Sequence, residues 1–193
     1  MLNIIIFGAP GSGKGTQSEL IVKKFQLDYI STGVMLRKII HEGSELGKIA
    51  REYIDRGQLV PDEIIIRLVA DFLDGKQGSK GIIFDGFPRT IPQAIALKEI
   101  MNVRGMDISV LIDLQVDDDE LIRRLLERGK ISGRSDDNPE TIRARLDVYH
   151  TQTAPLATFY ISEEKYAPVK GHGTVDDIFR RIVDAIESRI VKS

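Results

Sequence analysis

The string Gly8-Ala9-Pro10-Gly11-Ser12-Gly13-Lys14-Gly15-Thr16 follows directly on the apolar run Leu2-Asn3-Ile4-Ile5-Ile6-Phe7. A buried strand that ends in a glycine-rich turn and opens a helix is a place for phosphate. Glycines let successive backbone N–H groups point inward at a polyphosphate, where a Cβ would crowd them. The helix N-terminus adds partial positive charge, and Lys14 adds a full one. Gly11, Ser12, Gly13, Lys14, Gly15 and Thr16 are therefore the candidates for gripping a nucleoside triphosphate. The loop departs from the general pattern once. Gly15 stands where a Ser or Thr usually follows the lysine, and Thr16 supplies the hydroxyl.

Asp85 closes another apolar run, Gly81-Ile82-Ile83-Phe84-Asp85. The end of such a strand is the usual place for an acid that orients hydrated Mg²⁺ near phosphates. Thr16 is a second candidate on the metal side. Taken alone, Asp85 reads equally well as an aspartate capping a turn. Arg124 and Arg128 lie four residues apart and share a helix face. Residues 128–134 then carry Arg128, Lys130 and Arg134 with no acid, and Gly129 and Gly133 flank the middle. A moving flap needs such flanks, although a solvated charge run is the plainer reading of the segment by itself. Arg145 follows on the next helical stretch.

These residues need a scaffold that holds loops at one edge. Strands are expected at about 2–7, 28–31, 81–85, 108–114 and 167–170, separated by long helical patterns. The runs at 81–85 and 108–114 are nearly continuously apolar, as parallel strands covered on both faces are. The class is α/β with right-handed crossovers. Asn138-Pro139-Glu140-Thr141 reads as a helix start, and Thr174-Val175-Asp176-Asp177 as a capping box with Asp for Glu. Pro155 should kink or break the helical pattern that runs from about 139 to 162. The chain has 193 residues, 42% hydrophobic, with a formal net charge of −2 and no cysteine. One compact unit is expected. The charge gives no bulk attraction to nucleic acid or membrane, so neither is expected as a partner. Without a basic leader or a long apolar run, a cytoplasmic location is expected. The lack of cysteine rules out disulfides and thiolate metal sites.

Several longer strings resemble the adenylate kinases and related nucleoside monophosphate kinases. Gly-x-Pro-Gly-x-Gly-Lys-Gly-Thr is that family's form of the phosphate loop, and Asp85-Gly86-Phe87-Pro88-Arg89-Thr90 matches it throughout. Ile30-Ser31-Thr32-Gly33-Val34-Met35-Leu36-Arg37 and Gln58-Leu59-Val60-Pro61-Asp62-Glu63 also match. The resemblance implies a P-loop five-stranded parallel sheet flanked by helices. It implies a core of residues 1–30, 61–127 and 138–193, a helical monophosphate-binding insertion at 31–60 and a short lid at 128–137. It implies Mg-ATP + AMP ⇌ 2 ADP, with ATP, AMP and ADP as partners, Mg²⁺ carried mainly by phosphates and water, no zinc, and a monomer.

By the same resemblance, Lys14, Arg89, Arg128, Arg134 and Arg145 are catalytic, and Arg128 and Gly173 join the phosphate loop in holding ATP. AMP would be held by Thr32, Arg37, Gln58, Leu59, Val60, Gly86, Phe87, Pro88, Arg89 and Gln93, with Arg134 and Arg145 on the AMP side of the transferring phosphoryl. Gln93 would read adenine. The family usually has Asp where this chain has Val34. The nearest alternative is a UMP/CMP kinase. The alternative of another kind is a P-loop binding switch with little turnover.

Overall fold

The computed structural model describes residues 1–75 and 78–190. Five strands alternate with helices: β1 (Ile4–Phe7), β2 (Asp28–Ser31), β3 (Ile82–Asp85), β4 (Val110–Gln115) and β5 (Tyr166–Lys170). They form one parallel sheet in the order β2-β3-β1-β4-β5. Ile4, Ile5 and Ile6 are all buried because helices cover both faces of central β1. Burying a side chain of that size contributes roughly 1.5–3 kcal/mol. One core forms against α4 (Asp62–Asp74), α5 (Ile91–Val103) and α8 (Leu156–Ser162); the other forms against α1 (Lys14–Phe25) and α9 (Val175–Ile190).

The sheet order reverses at β1, and ligands of open α/β sheets gather at the strand C-termini beside such a reversal. The register shows what gathers there. Ile6 pairs with Asp85, Ser31 pairs with the same Asp85, and Phe7 pairs with Asp113. Asp85 thus lies directly beside the start of the glycine-rich loop.

Residues 31–60 are helical as expected, in α2 (Thr32–His41) and α3 (Glu45–Asp55). Helix α6 (Asp118–Ser132) carries Arg128 and Lys130 on its last turns. The basic segment is therefore half helix, and only 133–137 is loop. Gly129 lies in that helix, where an added Cβ would come within 2.7 Å of the Asp137 carbonyl. Close packing, rather than hinge freedom, requires glycine there. Asn138 caps α7 (Pro139–Val148) by accepting from the Thr141 N–H at 2.9 Å. Thr174 and Asp177 cap α9 reciprocally. The helix after 139 breaks earlier than Pro155. The Ala154 N–H reaches back to the Tyr149 carbonyl at 2.7 Å, a wide turn over Tyr149–Thr153 that precedes α8. Proline lacks an N–H and its ring crowds the turn before it, so the chain widens there.

Candidate active site

The phosphate loop is set as the sequence implies. Helix α1 begins at Lys14 on Gly13, whose φ of 96° is left-handed, with no side-chain cap. Its first N–H groups are therefore free for a ligand. A Cβ built on Gly13 or Gly15 meets nothing within 4 Å, so both face open space. Lys14 Nζ donates to the carbonyls of Gly8 at 2.7 Å and Ala9 at 2.9 Å. Burial pushes the Lys14 ammonium down to about 8; Asp85 opposes this, while Arg89, Arg145 and Arg128 add to it. An anion entering the site would raise it back toward the ordinary value.

One cleft of about 560 Å³ runs from this loop to the far side of α2 and α4. Lys14, Arg37, Arg89, Arg124, Arg128, Arg134 and Arg145 face it, against the carboxylates of Glu19, Asp85 and Asp136. Burial lowers the guanidiniums of Arg37, Arg89 and Arg145, with repulsion from neighbouring arginines adding to it. So many crowded cations make a strongly anion-seeking cavity.

The arginines differ in how they are held. Arg128 grips Asp137 with two bonds of 2.7 Å. Arg145 reaches Asp136 at 2.8 Å and Asp137 at 3.0 Å. Arg89 Nε donates to the Gly86 carbonyl at 2.8 Å. Arg37 and Arg134 make no hydrogen bond or ion pair among the described residues, which leaves their guanidinium forks free for phosphate oxygens.

At the other end, Thr32 donates to the same Gly86 carbonyl at 2.8 Å. Gly86 has φ 75°, and a Cβ there would strike Arg89 Nη2 at 2.9 Å and Thr32 Oγ1 at 3.0 Å. Both the turn and the close approach therefore demand glycine. Gln58, Leu59, Val60, Phe87, Pro88 and Gln93 line this end with Thr32 and Arg37. Two expected residues stand apart from the cleft lining. The Ser12 side chain is 1% exposed, turned in under the loop. Gly173 lies in the β5–α9 connection, beside Gly171, whose carbonyl accepts from cleft residue Arg124 at 3.2 Å.

An adenylate kinase family model matches residues 6–165. A relative from Parabacteroides distasonis is 63% identical over 97% of this chain and 99% of its own length, and is called adenylate kinase. Relatives of that name from Bacteroides thetaiotaomicron and Azobacteroides pseudotrichonymphae are 58% and 52% identical, again over 97% of this chain. The chain belongs to the adenylate kinase family. It is a phosphotransferase, on the P-loop fold the sequence implies.

As an adenylate kinase relative it holds residues that motif reading passed over. Asp136 and Asp137, 7% and 6% exposed, preset Arg145 and Arg128. Asp62 fastens Gln93 and Thr90, at 2.7 and 2.8 Å. The two acids after Arg134 in an otherwise basic segment were the available signal for the first pair. Nothing in the sequence marked Asp62 beyond its motif. Val34, at the family's usual Asp position, is 53% exposed at the cleft rim, and the Ser31 hydroxyl accepts from its N–H at 3.4 Å. Among the described residues no helix is long and apolar enough to cross a membrane.

Proposed function

We propose that the enzyme moves the γ-phosphoryl group of Mg-ATP to AMP, reversibly, giving two ADP, and that both nucleotides occupy the one cleft. The carrying observation is that a single cavity joins the phosphate loop, an arginine cluster and a second, partly apolar end closed by Gln93. ATP's triphosphate would lie on Gly11 to Thr16, with Lys14 and Arg128 on it and its base toward Gly173. AMP would lie against Thr32, Gln58 to Val60, Gly86 to Pro88 and Gln93. Arg37 and Arg89 would take its phosphate, while Arg134 and Arg145 neutralise the group in flight.

The attacking oxygen belongs to a phosphate with its second pKa near about 6, largely ionised at neutrality, so no general base is required. Alignment and charge neutralisation do the work. Asp85, whose Oδ2 accepts from the Tyr29 hydroxyl at 2.8 Å, and Thr16 both face the cleft, and they suit a hydrated Mg²⁺ carried on the phosphates. Held there, such an ion would offset the negative charge of the phosphates. The regions 31–60 and 128–137 would close on the nucleotides and exclude water. Ser135 already donates to Asp55 Oδ1 across them at 3.0 Å. One chain supplies every residue named, which supports a monomer. A net charge of −2 supports small-molecule partners without nucleic acid or membrane.

Mixing Mg-ATP with AMP should yield two ADP for each ATP consumed, and ADP with Mg²⁺ and no other nucleotide should yield ATP and AMP. ATP loss with release of inorganic phosphate, independent of AMP, would replace transfer by hydrolysis and favour the switch reading.

A further inference from the structure

Base selectivity rests on the adenine-reading role that the family resemblance implies for Gln93, so whatever fixes that amide decides which base is read. Gln93 is 2% exposed at the start of α5, and its amide is engaged at both atoms. Oε1 accepts from the Arg89 backbone N–H at 2.8 Å, and Nε2 donates to Asp62 Oδ1 at 2.7 Å. The other Asp62 oxygen accepts from the Thr90 hydroxyl at 2.8 Å, and Thr90 Oγ1 accepts in turn from the Gln93 N–H at 3.3 Å. Asp62 opens α4 after Pro61, two residues beyond the cleft residue Val60.

The chemistry of the two anchors fixes the amide's sense. A carboxylate only accepts and a backbone N–H only donates. Turning the amide over would set Nε2 against the Arg89 N–H and Oε1 against Asp62. Two donors and two acceptors would then face each other in a buried place, where unmet polar groups are most costly. A primary amide so held still has one N–H and one lone pair to offer, in a fixed order. Adenine presents an amino donor at C6 beside the N1 acceptor, which fits Oε1 and Nε2. A 6-oxopurine presents an acceptor beside an N1–H donor, the reverse. An unanchored amide could flip and serve either base.

We propose that Asp62 is a positioning residue for base selectivity. By locking the Gln93 amide against rotation, it admits 6-aminopurine monophosphates and rejects 6-oxopurine monophosphates.

The test is steady-state kinetics with AMP and with inosine monophosphate, at saturating ATP, on the full chain. Asp62→Ala should lower the AMP-to-inosine-monophosphate ratio of kcat/KM by at least about tenfold, the scale set by unpaired polar groups in a reading site. The change should lie chiefly in the KM of the monophosphate, with the KM of ATP unmoved. Asp62→Ser keeps a residue suited to a helix start but withdraws the second oxygen. It should lose selectivity likewise, and it covers the case in which Asp62→Ala does not fold. Asp62→Asn, whose oxygen can still accept from Gln93, should retain most of the ratio. Parallel losses on both monophosphates, or an unchanged ratio, would overturn the proposal and make Asp62 a fold residue only, provided that Gln93→Ala still collapses the ratio. If Gln93→Ala leaves the ratio intact, the adenine-reading role of Gln93 itself fails.

Discussion

Lys14 is asked to be charged in a place that disfavours charge. Burial among arginines holds its ammonium near 8, against 10.5 for an ordinary lysine. The unfolded chain therefore keeps this proton between those values while the folded chain releases it. The group's contribution to stability accordingly rises with pH across that window. Activity should move the other way. The kcat/KM for ATP should fall as pH rises through about 8, whereas kcat should hold to higher pH, because bound phosphates restore the ammonium. A pH profile of both constants checks this, and superimposable limbs would contradict it. Lys14→Met should fold normally by circular dichroism and lose at least about a hundredfold in kcat, the scale of one preorganised donor. Near-normal turnover in the folded variant would remove the phosphate-loop assignment. At Val34, half-exposed on the rim, Val34→Asp should change activity less than tenfold, since Thr32 and Arg37 keep their places; about tenfold is the step that 1.4 kcal/mol brings. A larger gain would mean the native chain is impaired there.

Among the elements, the loop over 133–137 is the one whose shape depends most on the arginines. Burial alone would push the Asp137 carboxyl up, but the Arg128 fork and the charges of Arg128, Arg145 and Arg134 hold it below the usual carboxylate range. Its stabilising effect is thus complete above an ordinary carboxylate pKa and fades as pH falls through the depressed one. Asp137→Ala removes the shared partner of two arginines. It should cost about 1–3 kcal/mol, discounted for the exposed part of Arg128. Hydrogen exchange at 133–137 should rise ahead of the sheet; unchanged exchange would make the pairs incidental. This element also shows where sequence reading reaches and stops. The strands were legible because Ile4-Ile5-Ile6 and Val110-Leu111-Ile112 are continuously apolar, and the caps because Asn138 and Thr174 have strong local preferences. The phosphate loop and the Gly86 turn were legible because backbone demand and chemistry coincide there. The helical half of the basic segment was hidden, since Gly129 looks like a hinge until Asp137 is seen packed on it. The Asp62–Gln93 contact spans residues far apart in the chain, and only the fold brings them together.

At the scale of the whole molecule, the proposed reaction requires one cleft that binds two anions and closes on both. A dinucleoside pentaphosphate that bridges the two ends should bind one per chain. It should slow exchange in both 31–60 and 128–137, and raise the melting temperature by mass action, near 2.7 kcal/mol of added stability at about a hundred times its Kd. Binding that protects one region alone would divide the cleft into unrelated sites. The reaction turns on AMP being the acceptor, and the most direct measurement is ADP-forming turnover with Mg-ATP against AMP, UMP and CMP in separate assays. AMP should give the highest kcat/KM, by at least about tenfold over UMP, because uracil presents an acceptor beside an N3–H donor, the reverse of the order the Gln93 amide would read; cytosine shares adenine's order but lacks its second ring. A faster reaction with UMP or CMP, or no acceptor-dependent turnover at all, would contradict it.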